Sequence, residues 1–288
     1  MNIQKSYTDD GKGILYIVPT PIGNMEDITY RALKTLADVS VIAAEDTRNT
    51  KKLLNHFNIH TPMVSYHEHN KWSRQTELLE RLKQGESIAI VSDAGMPAIS
   101  DPGGDIIQAA IRANIKVIAL PGANAALCAL IGSGLSTDEF LFYGFLPRKK
   151  KERNQELKRL KPLQATLVFY ESPYRIKETV SAIKAELGNR QASIARELTK
   201  RFEEYVRGTV EELETWILQN ELKGEFCLIV EGSSEPMETD DWWRDLSIKE
   251  HVIQYIERER LSSKEAIKKT ARDRQVSKRD VYQAFHID

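Results

Sequence analysis

The feature that most restricts how this 288-residue chain can fold is a rhythm. Short runs rich in β-branched residues (14–18, 41–45, 63–66, 88–91 and 116–120) alternate with helical patterns over 29–37, 47–57, 72–84 and 105–114. Strands separated by helices of ten or so residues build βαβ units, and the right-handed crossover of such units sets the strands parallel. The rhythm therefore predicts an α/β domain with a largely parallel five-stranded sheet over residues 13–122.

A second series follows Gly122. It contains a helix through Ala126, a strand over 140–145, a basic segment and a strand over 166–170. Ile176, Val180, Ile183 and Leu187 then fall on one face of a helix. Runs at 192–195, 205–210 and 226–230 complete a mixed five-stranded sheet, so a second α/β domain is expected over 123–235. Residues 232–241, with Ser233, Ser234 and Pro236, break the composition and mark a boundary. Beyond it, 247–258, 262–274 and 277–286 read as three short helices, with Ser262 and Ser277 placed as N-caps. The fold class is thus α/β, two α/β domains plus a small helical, helix-turn-helix-like unit over 241–288.

Composition enters as a set of exclusions. With 41% apolar and 29% charged residues the chain can bury a sizeable core. The longest weakly polar stretch, 117–132, is too short for a bilayer and is broken by Pro121, Gly122 and Asn124, so no membrane span is expected. Residues 1–12 lack the apolar segment of a secretory leader and are too acidic for a transit peptide, which points to the cytoplasm. Cys128 and Cys227 lie in apolar runs and read as buried small hydrophobes rather than a disulfide or metal framework. The 41 basic and 42 acidic residues nearly cancel, giving no bulk attraction to nucleic acid. Locally, however, residues 148–161 carry eight cations against two carboxylates. Arg148, Lys149, Lys150, Lys151 and Arg153 there, with Lys268, Lys269, Arg272, Lys278 and Arg279 in the tail, are candidate nucleic-acid contacts.

Three Pro/Gly loops follow strands of the first half: PTPIGN (19–24), SDAGMPAISDPGG (92–104) and PGAN (121–124). Ligands of open α/β sheets collect at the carboxyl ends of strands, so these turns point to one site. G-x-G-x-x-G and G-x-x-x-x-G-K-[ST] are absent where they would signal a dinucleotide or P-loop site, as are Cys-x-x-Cys and Gly-x-Ser-x-Gly. His67 and His69 flank Glu68 without further ligands and read as a polar loop, so no metal is expected. Charged clusters also follow strands: Glu45, Asp46 and Arg48; Glu171 and Arg175; Arg196, Glu197, Lys200 and Glu204. Such groups can orient a polar substrate in a cleft.

In this order and spacing, PTPIGN, AEDTR (44–48), SDAGMPAISDPG (92–103), PGAN, YESPYR (170–175) and RELTKRFEE (196–204) resemble the tetrapyrrole methylase superfamily, from Gly13 to about Gly232. The C-terminal helices are similar to the tail of its RNA branch. The resemblance implies a two-domain enzyme that binds S-adenosylmethionine in the cleft between domains and forms a homodimer. That branch methylates the ribose 2′-hydroxyl of cytidine 1402 in the decoding centre of 16S rRNA, which makes the rRNA or the small ribosomal subunit the implied partner. Carried over residue by residue, the cofactor contacts fall on Pro21, Ile22, Asp93, Gly95, Met96, Asn124, Ala125 and Tyr170. Met96 stands where the family commonly has Thr, and a backbone contact there is expected. Ala98 replaces a common Gly, which predicts an unstrained turn without positive φ.

Methyl transfer from a sulfonium to oxygen is an in-line displacement, so nucleophile, carbon and sulfur must be held nearly collinear. A hydroxyl nucleophile gains from a base or from a cation that stabilises developing alkoxide. Glu45, Asp46, Glu197 and Lys200 are the candidates, with Arg196 as a further cation, and the sequence does not choose among them. His67, His69, Trp72 and Tyr174 could stack on bases. Two other readings stay open: a methylase of a tetrapyrrole, other small molecule or protein side chain, and a non-catalytic RNA-binding relative. The basic segment and tail favour RNA.

Overall fold

A computed structural model describes residues 3–6, 8, 11–235 and 242–286. The chain divides into two compact units, Met1–Ser234 and Glu235–Asp288. Part of the expected linker, 236–241, lies outside the described residues.

The first sheet comprises β1 (Ile14–Ile17), β2 (Val41–Ala44), β3 (Met63–Ser65), β4 (Ile88–Val91) and β5 (Lys116–Ala119), ordered β3-β2-β4-β1-β5 and parallel throughout. Its helices are α1 (Tyr30–Asp38), α2 (Thr47–His56), α3 (Lys71–Lys83) and α4 (Gly104–Arg112). Every residue of β2 and β4 is buried, as befits strands covered on both faces. Period-two alternation assigns the faces. Val41, Ala43, Ile88 and Ile90 pack with Leu78 and Leu82 of α3 and Ile106 and Ala110 of α4. Ile42, Ala44, Ala89 and Val91 pack with Ala32 and Leu36 of α1 and Leu54 of α2.

The second sheet comprises β6 (Phe140–Phe145), β7 (Thr166–Glu171), β8 (Gln191–Arg196), β9 (Glu204–Thr209) and β10 (Phe226–Val230), ordered β6-β7-β10-β8-β9. β6 and β7 are parallel, while β10 runs antiparallel to both β7 and β8 and β8 antiparallel to β9. One face is covered by α6 (Lys150–Leu160), α7 (Ile176–Leu187) and α8 (Val210–Gln219), and the other by α5 (Ala125–Ser133). Helix α8 was not anticipated, although Thr209 and Glu212 carry the capping-box spacing that opens it, with both reciprocal bonds formed. A short 3₁₀ turn, Met25–Asp27, was also unforeseen.

Three expectations are corrected. Cys227 is buried but Cys128 is exposed: α5 covers its sheet with Ala126, Ala129 and Leu130 and turns Leu127, Cys128 and Ile131 outward. An apolar run on a helix that packs on one side only is not uniformly interior. The basic segment folds as α6, with Arg153, Leu157 and Leu160 inward. Arg153 is 4% exposed and donates to Glu178 Oε2 at 3.2 Å, so it is withdrawn from solvent. Ala98 has φ 67° and Ser100 φ 65°, so the turn that glycine loss was expected to leave unstrained is left-handed at two L-residues. Such a conformation brings Cβ against the following carbonyl.

The second unit holds α9 (Ile248–Glu259), α10 (Ser263–Asp273) and α11 (Lys278–His286) around Val252, Tyr255, Ala266, Ile267, Ala271 and Val281. Ser247 and Ser262 form capping boxes with Glu250 and Glu265, and Ser277 Oγ accepts from Asp280 N–H. Among the described residues no helix is long and apolar enough to cross a membrane.

Candidate active site

The parallel order of the first sheet brings the loops after β1, β2, β4 and β5 to one edge, the usual ligand edge of such sheets. The second sheet adds the ends of β6, β7 and β8. Because β10 is antiparallel to its neighbours, its first residue joins that same edge, with Phe226 in register with Glu171 and Arg196.

Direct bonds lock the loops together. Thr20 and Gly95 exchange both backbone bonds at 2.9 Å, joining PTPIGN to the β4 loop, and Gly95 reaches this geometry at φ +78°. Asn24 N–H donates to Thr199 Oγ1 at 3.0 Å across to the β8 loop. Gly23 permits that approach, since a Cβ there would lie 2.5 Å from Lys200 Cγ. The Asp93 carboxylate accepts from Asp46 N–H and from the Asn49 amide, each at 3.2 Å, and Tyr170 Oη accepts from Ala126 N–H at 3.2 Å.

These loops enclose a cleft of about 410 Å³ lined by Ile22, Asp93, Gly95, Met96, Asn124, Ala125 and Tyr170, seven of the eight positions proposed for cofactor contact. The eighth, Pro21, lines an adjoining recess of about 400 Å³ with Asn49, Lys52 and Lys200. Ile22, Ile99, Leu198 and Phe226 form apolar walls, whereas Glu45, Asp93, Asp101 and Glu225 give the cleft a negative surface. Among the described residues that line it, Lys200 is the one cation, held by Glu197 at 2.9 Å and Glu225 at 3.7 Å. Apolar walls with surplus carboxylate fit a ligand that carries both a ring system and a compact positive charge.

The structure sorts the acid and base candidates. Asp46 caps α2 by accepting from Arg48 N–H and grips the Arg48 guanidinium at 2.6 Å; these bonds lower its pKa to about 2. Burial acts to raise Glu197, but the Lys200 ammonium and the Glu225 N–H outweigh it and leave the carboxyl below its usual range. Both are committed to partners. Glu45 faces the cleft, raised mainly by burial although Asp93 N–H donates to it. Asp101 was not singled out from sequence, yet it lines the cleft and burial, with Glu45 and Asp93 nearby, raises it to about 6. It hid within a loop whose prolines and glycines drew the reading toward turn geometry. Glu225 was missed because only antiparallel pairing brings the start of β10 to this edge.

Of the proposed RNA contacts, Arg148, Lys150 and Lys151 are exposed, and Lys149 is exposed but paired with Glu152. In the second unit Lys268, Arg272, Lys278 and Arg279 are exposed, while Lys269 binds Glu259 at 2.6 Å. Trp72 and Tyr174 are exposed, and His67 and His69 face each other at 6.0 Å. Among the described residues no group of three or more His, Cys, Asp or Glu could hold a metal ion.

Comparison with known proteins gives three concordant findings. A family model described as tetrapyrrole (corrin/porphyrin) methylases matches residues 14–214. The ribosomal RNA small subunit methyltransferase I of Halalkalibacterium halodurans is 56% identical over 99% of both chains. That of Bacillus subtilis is 55% identical over 96% of this chain and 94% of its own. Among solved structures, diphthine synthase superposes with a TM-score of 0.60 at 16% identity, covering 76% of this chain and 90% of that one. The uroporphyrin-III C-methyltransferase of Thermus thermophilus, complexed with S-adenyl homocysteine, gives 0.55 at 18% identity, covering 76% and 97%. The structural likenesses speak for the fold.

Proposed function

We propose that this chain, which belongs to the tetrapyrrole methylase family and within it to the ribosomal RNA small subunit methyltransferase I group, transfers the methyl group of S-adenosylmethionine to a cytidine ribose 2′-hydroxyl of 16S rRNA, at position 1402 in the decoding centre. Family membership makes it a methyltransferase. The cofactor, the RNA and the methylated atom are our reading.

The observation that carries it is the convergence of loops from both sheets on one negatively lined cleft holding seven of the eight expected cofactor positions. When bound, the cofactor supplies a methyl group activated on a cationic sulfur. Glu45, Asp93 and Glu225 favour that charge, and Ile22, Leu198 and Phe226 exclude water from it. Met96 is suited to a backbone contact, as its neighbour Gly95 is already fixed by Thr20. Lys200, anchored by Glu197 and Glu225, stands where it can stabilise negative charge on the attacking oxygen.

We take residues 13–122 and 123–235 as the two domains flanking the cleft and 241–288 as an RNA-binding appendage. Arg148, Lys150 and Lys151, with Lys268, Arg272, Lys278 and Arg279, supply phosphate contacts. The outward Leu127, Cys128 and Ile131 of α5 support assembly as a homodimer, and action on ribosomal RNA places the reaction in the cytoplasm.

The test is transfer of labelled methyl from S-adenosylmethionine to unmethylated small subunits, followed by nucleoside mass spectrometry. A single 2′-O-methylcytidine at 1402 is expected. Label on a base, at another nucleotide or on a small molecule alone would refute the reading.

A further inference from the structure

We propose that Phe145 and Tyr174 form a stacking platform for RNA: Phe145 takes the base of the nucleotide whose ribose is methylated, and Tyr174 the base beside it. This deepens the reading above and rests on it.

Strand register supplies the first support. Phe142 of β6 packs on the α5 side of its sheet, and Tyr143 on the side of α6 and α7. Regular alternation from Phe142 would carry Phe145 into the core under α6 and α7, and Leu146 to the α5 side. The observed order is the reverse. A bulge between Phe142 and Gly144, with Gly144 at φ +78°, shifts the register so that Phe145 stands opposite Tyr170. Leu146 takes the core position and is 2% exposed, whereas Phe145 lines the cleft with 53% of its surface exposed. A bulge beside a working site re-aims a side chain, and this one moves a phenylalanine from a core position to the cleft wall.

Both rings are carried on restrained backbone. Tyr170, fixed by the bond from Ala126 N–H at 3.2 Å, meets Phe145 edge to face with centroids 5.7 Å apart. Arg175 donates to Leu146 O at 2.8 Å and to Pro147 O at 3.3 Å, and pairs with the buried Glu171 at 3.5 Å. It thereby ties the turn after β7 to the backbone that follows Phe145. That turn is closed by Arg175 N–H and Ile176 N–H, both donating to Ser172 O at 3.1 Å. Ser172 and Pro173 line the cleft, and Tyr174, next in the chain, is 92% exposed. An aromatic ring on a restrained turn loses little freedom when a ligand stacks on it.

Charge is the second support. Glu45, Asp93 and Glu225 line the cleft and repel phosphate, so an RNA strand has to be gripped at the mouth rather than within. Stacking requires no charge, and every base offers a π face; single-strand sites accordingly combine aromatic rings with cations that follow the backbone. Arg148, Lys150 and Lys151 come within six residues of Phe145 and are exposed. In a nucleotide the ribose lies between base and phosphate. With bases on Phe145 and Tyr174 and phosphates on these cations, the ribose is the part presented to the cleft.

Two measurements on the full chain test this. The first is single-turnover methylation of unmethylated small subunits at varied subunit concentration, and the second is calorimetry of S-adenosylmethionine binding. Phe145→Leu keeps an apolar side chain but no ring, and Tyr174→Ala removes an exposed ring. Each should raise the half-saturating subunit concentration by about 5- to 150-fold, the worth of one stacked base. Cofactor Kd should stay within about twofold of wild type, which also shows the cleft intact. Phe145→Tyr and Tyr174→Phe, which restore a ring, should recover most of the loss. A half-saturating concentration within about twofold of wild type in either Phe145→Leu or Tyr174→Ala overturns the platform, as does an equal loss in the ring-retaining variants. Cofactor affinity that falls in step with subunit affinity overturns it too, making Phe145 a wall of the cofactor site. Wild-type transfer to no RNA would overturn the functional reading and this inference together, whereas wild-type transfer with unaffected variants overturns this inference alone.

Discussion

Placing a reluctant carboxylate in the cleft has a consequence for stability that can be worked out. Burial and the neighbouring carboxylates raise Asp101 to about 6 in the folded chain against its ordinary 3.8. Between those values the folded chain holds a proton that the unfolded chain has lost. Raising the pH through that window therefore erodes stability, and the loss is complete above the folded value. The difference corresponds to about 3 kcal/mol before screening. Solvent screening of a half-open group reduces this to about 1 to 1.5 kcal/mol. Asp101→Asn removes the titration, keeps the shape and can still bond the Ser92 hydroxyl. It should be about 1 kcal/mol more stable than wild type at pH 8 and indistinguishable near pH 4. Urea unfolding of both proteins at half-unit intervals between those limits measures the difference. A gain independent of pH, or a loss at pH 8, would refute the reasoning.

Other consequences follow from particular residues. Left-handed backbone at Ala98 costs about 1–2 kcal/mol, of which about 0.4–1 is offset by the lower unfolded-state entropy of alanine. Ala98→Gly should thus stabilise by about 0.5–1 kcal/mol in the same urea assay, and a destabilised variant would show that the Ala98 methyl matters more than its φ. His251 is enclosed by Trp242, stacked on Trp243 and bonded at Nδ1 by Arg274; burial, then Arg274, lowers it to about 4. The unfolded imidazole takes up a proton below about 6.5, so the C-terminal helical unit should lose stability as pH falls from 6.5 towards 4. Tryptophan fluorescence should follow this, with His251→Phe abolishing the dependence. Lys268 and Arg272 lie one turn apart on α10, both exposed. Replacing either by alanine should weaken RNA binding and reduce the slope of log K against log salt by about 0.7 to 0.9; an unchanged slope would remove that residue from the interface.

Much of this protein could be read from its residues. Period-two and 3.6-residue patterns are local, so the strands at Ile14, Val41, Ile88 and Lys116 and the face of α7 were legible before any coordinates. The loops PTPIGN, SDAGMPAISDPG and PGAN announced a site because glycine and proline encode backbone shape directly. The serine caps of α9 to α11 were legible for the same reason, since a cap is a contact three residues long.

What tertiary structure decided are relations between distant segments. Whether Cys128 or Arg153 meets water depends on which side of α5 or α6 finds a sheet, and no run of residues states that. Ala98 adopts positive φ within a turn closed by its bond to the Pro102 carbonyl and packed against Gly103, overriding the preference of an alanine. Glu225 reaches the cleft because β10 runs against its neighbours. Asp101 acquires its character from Glu45, Asp93 and Glu225, which come from three different loops. Propensity acts over a few residues along the chain, whereas burial and Coulomb interactions act over a few ångströms in space. The sequence alone therefore determined the elements and where a site would gather, and the packing of the two sheets decided which carboxylates there are paired and which are held among like charges.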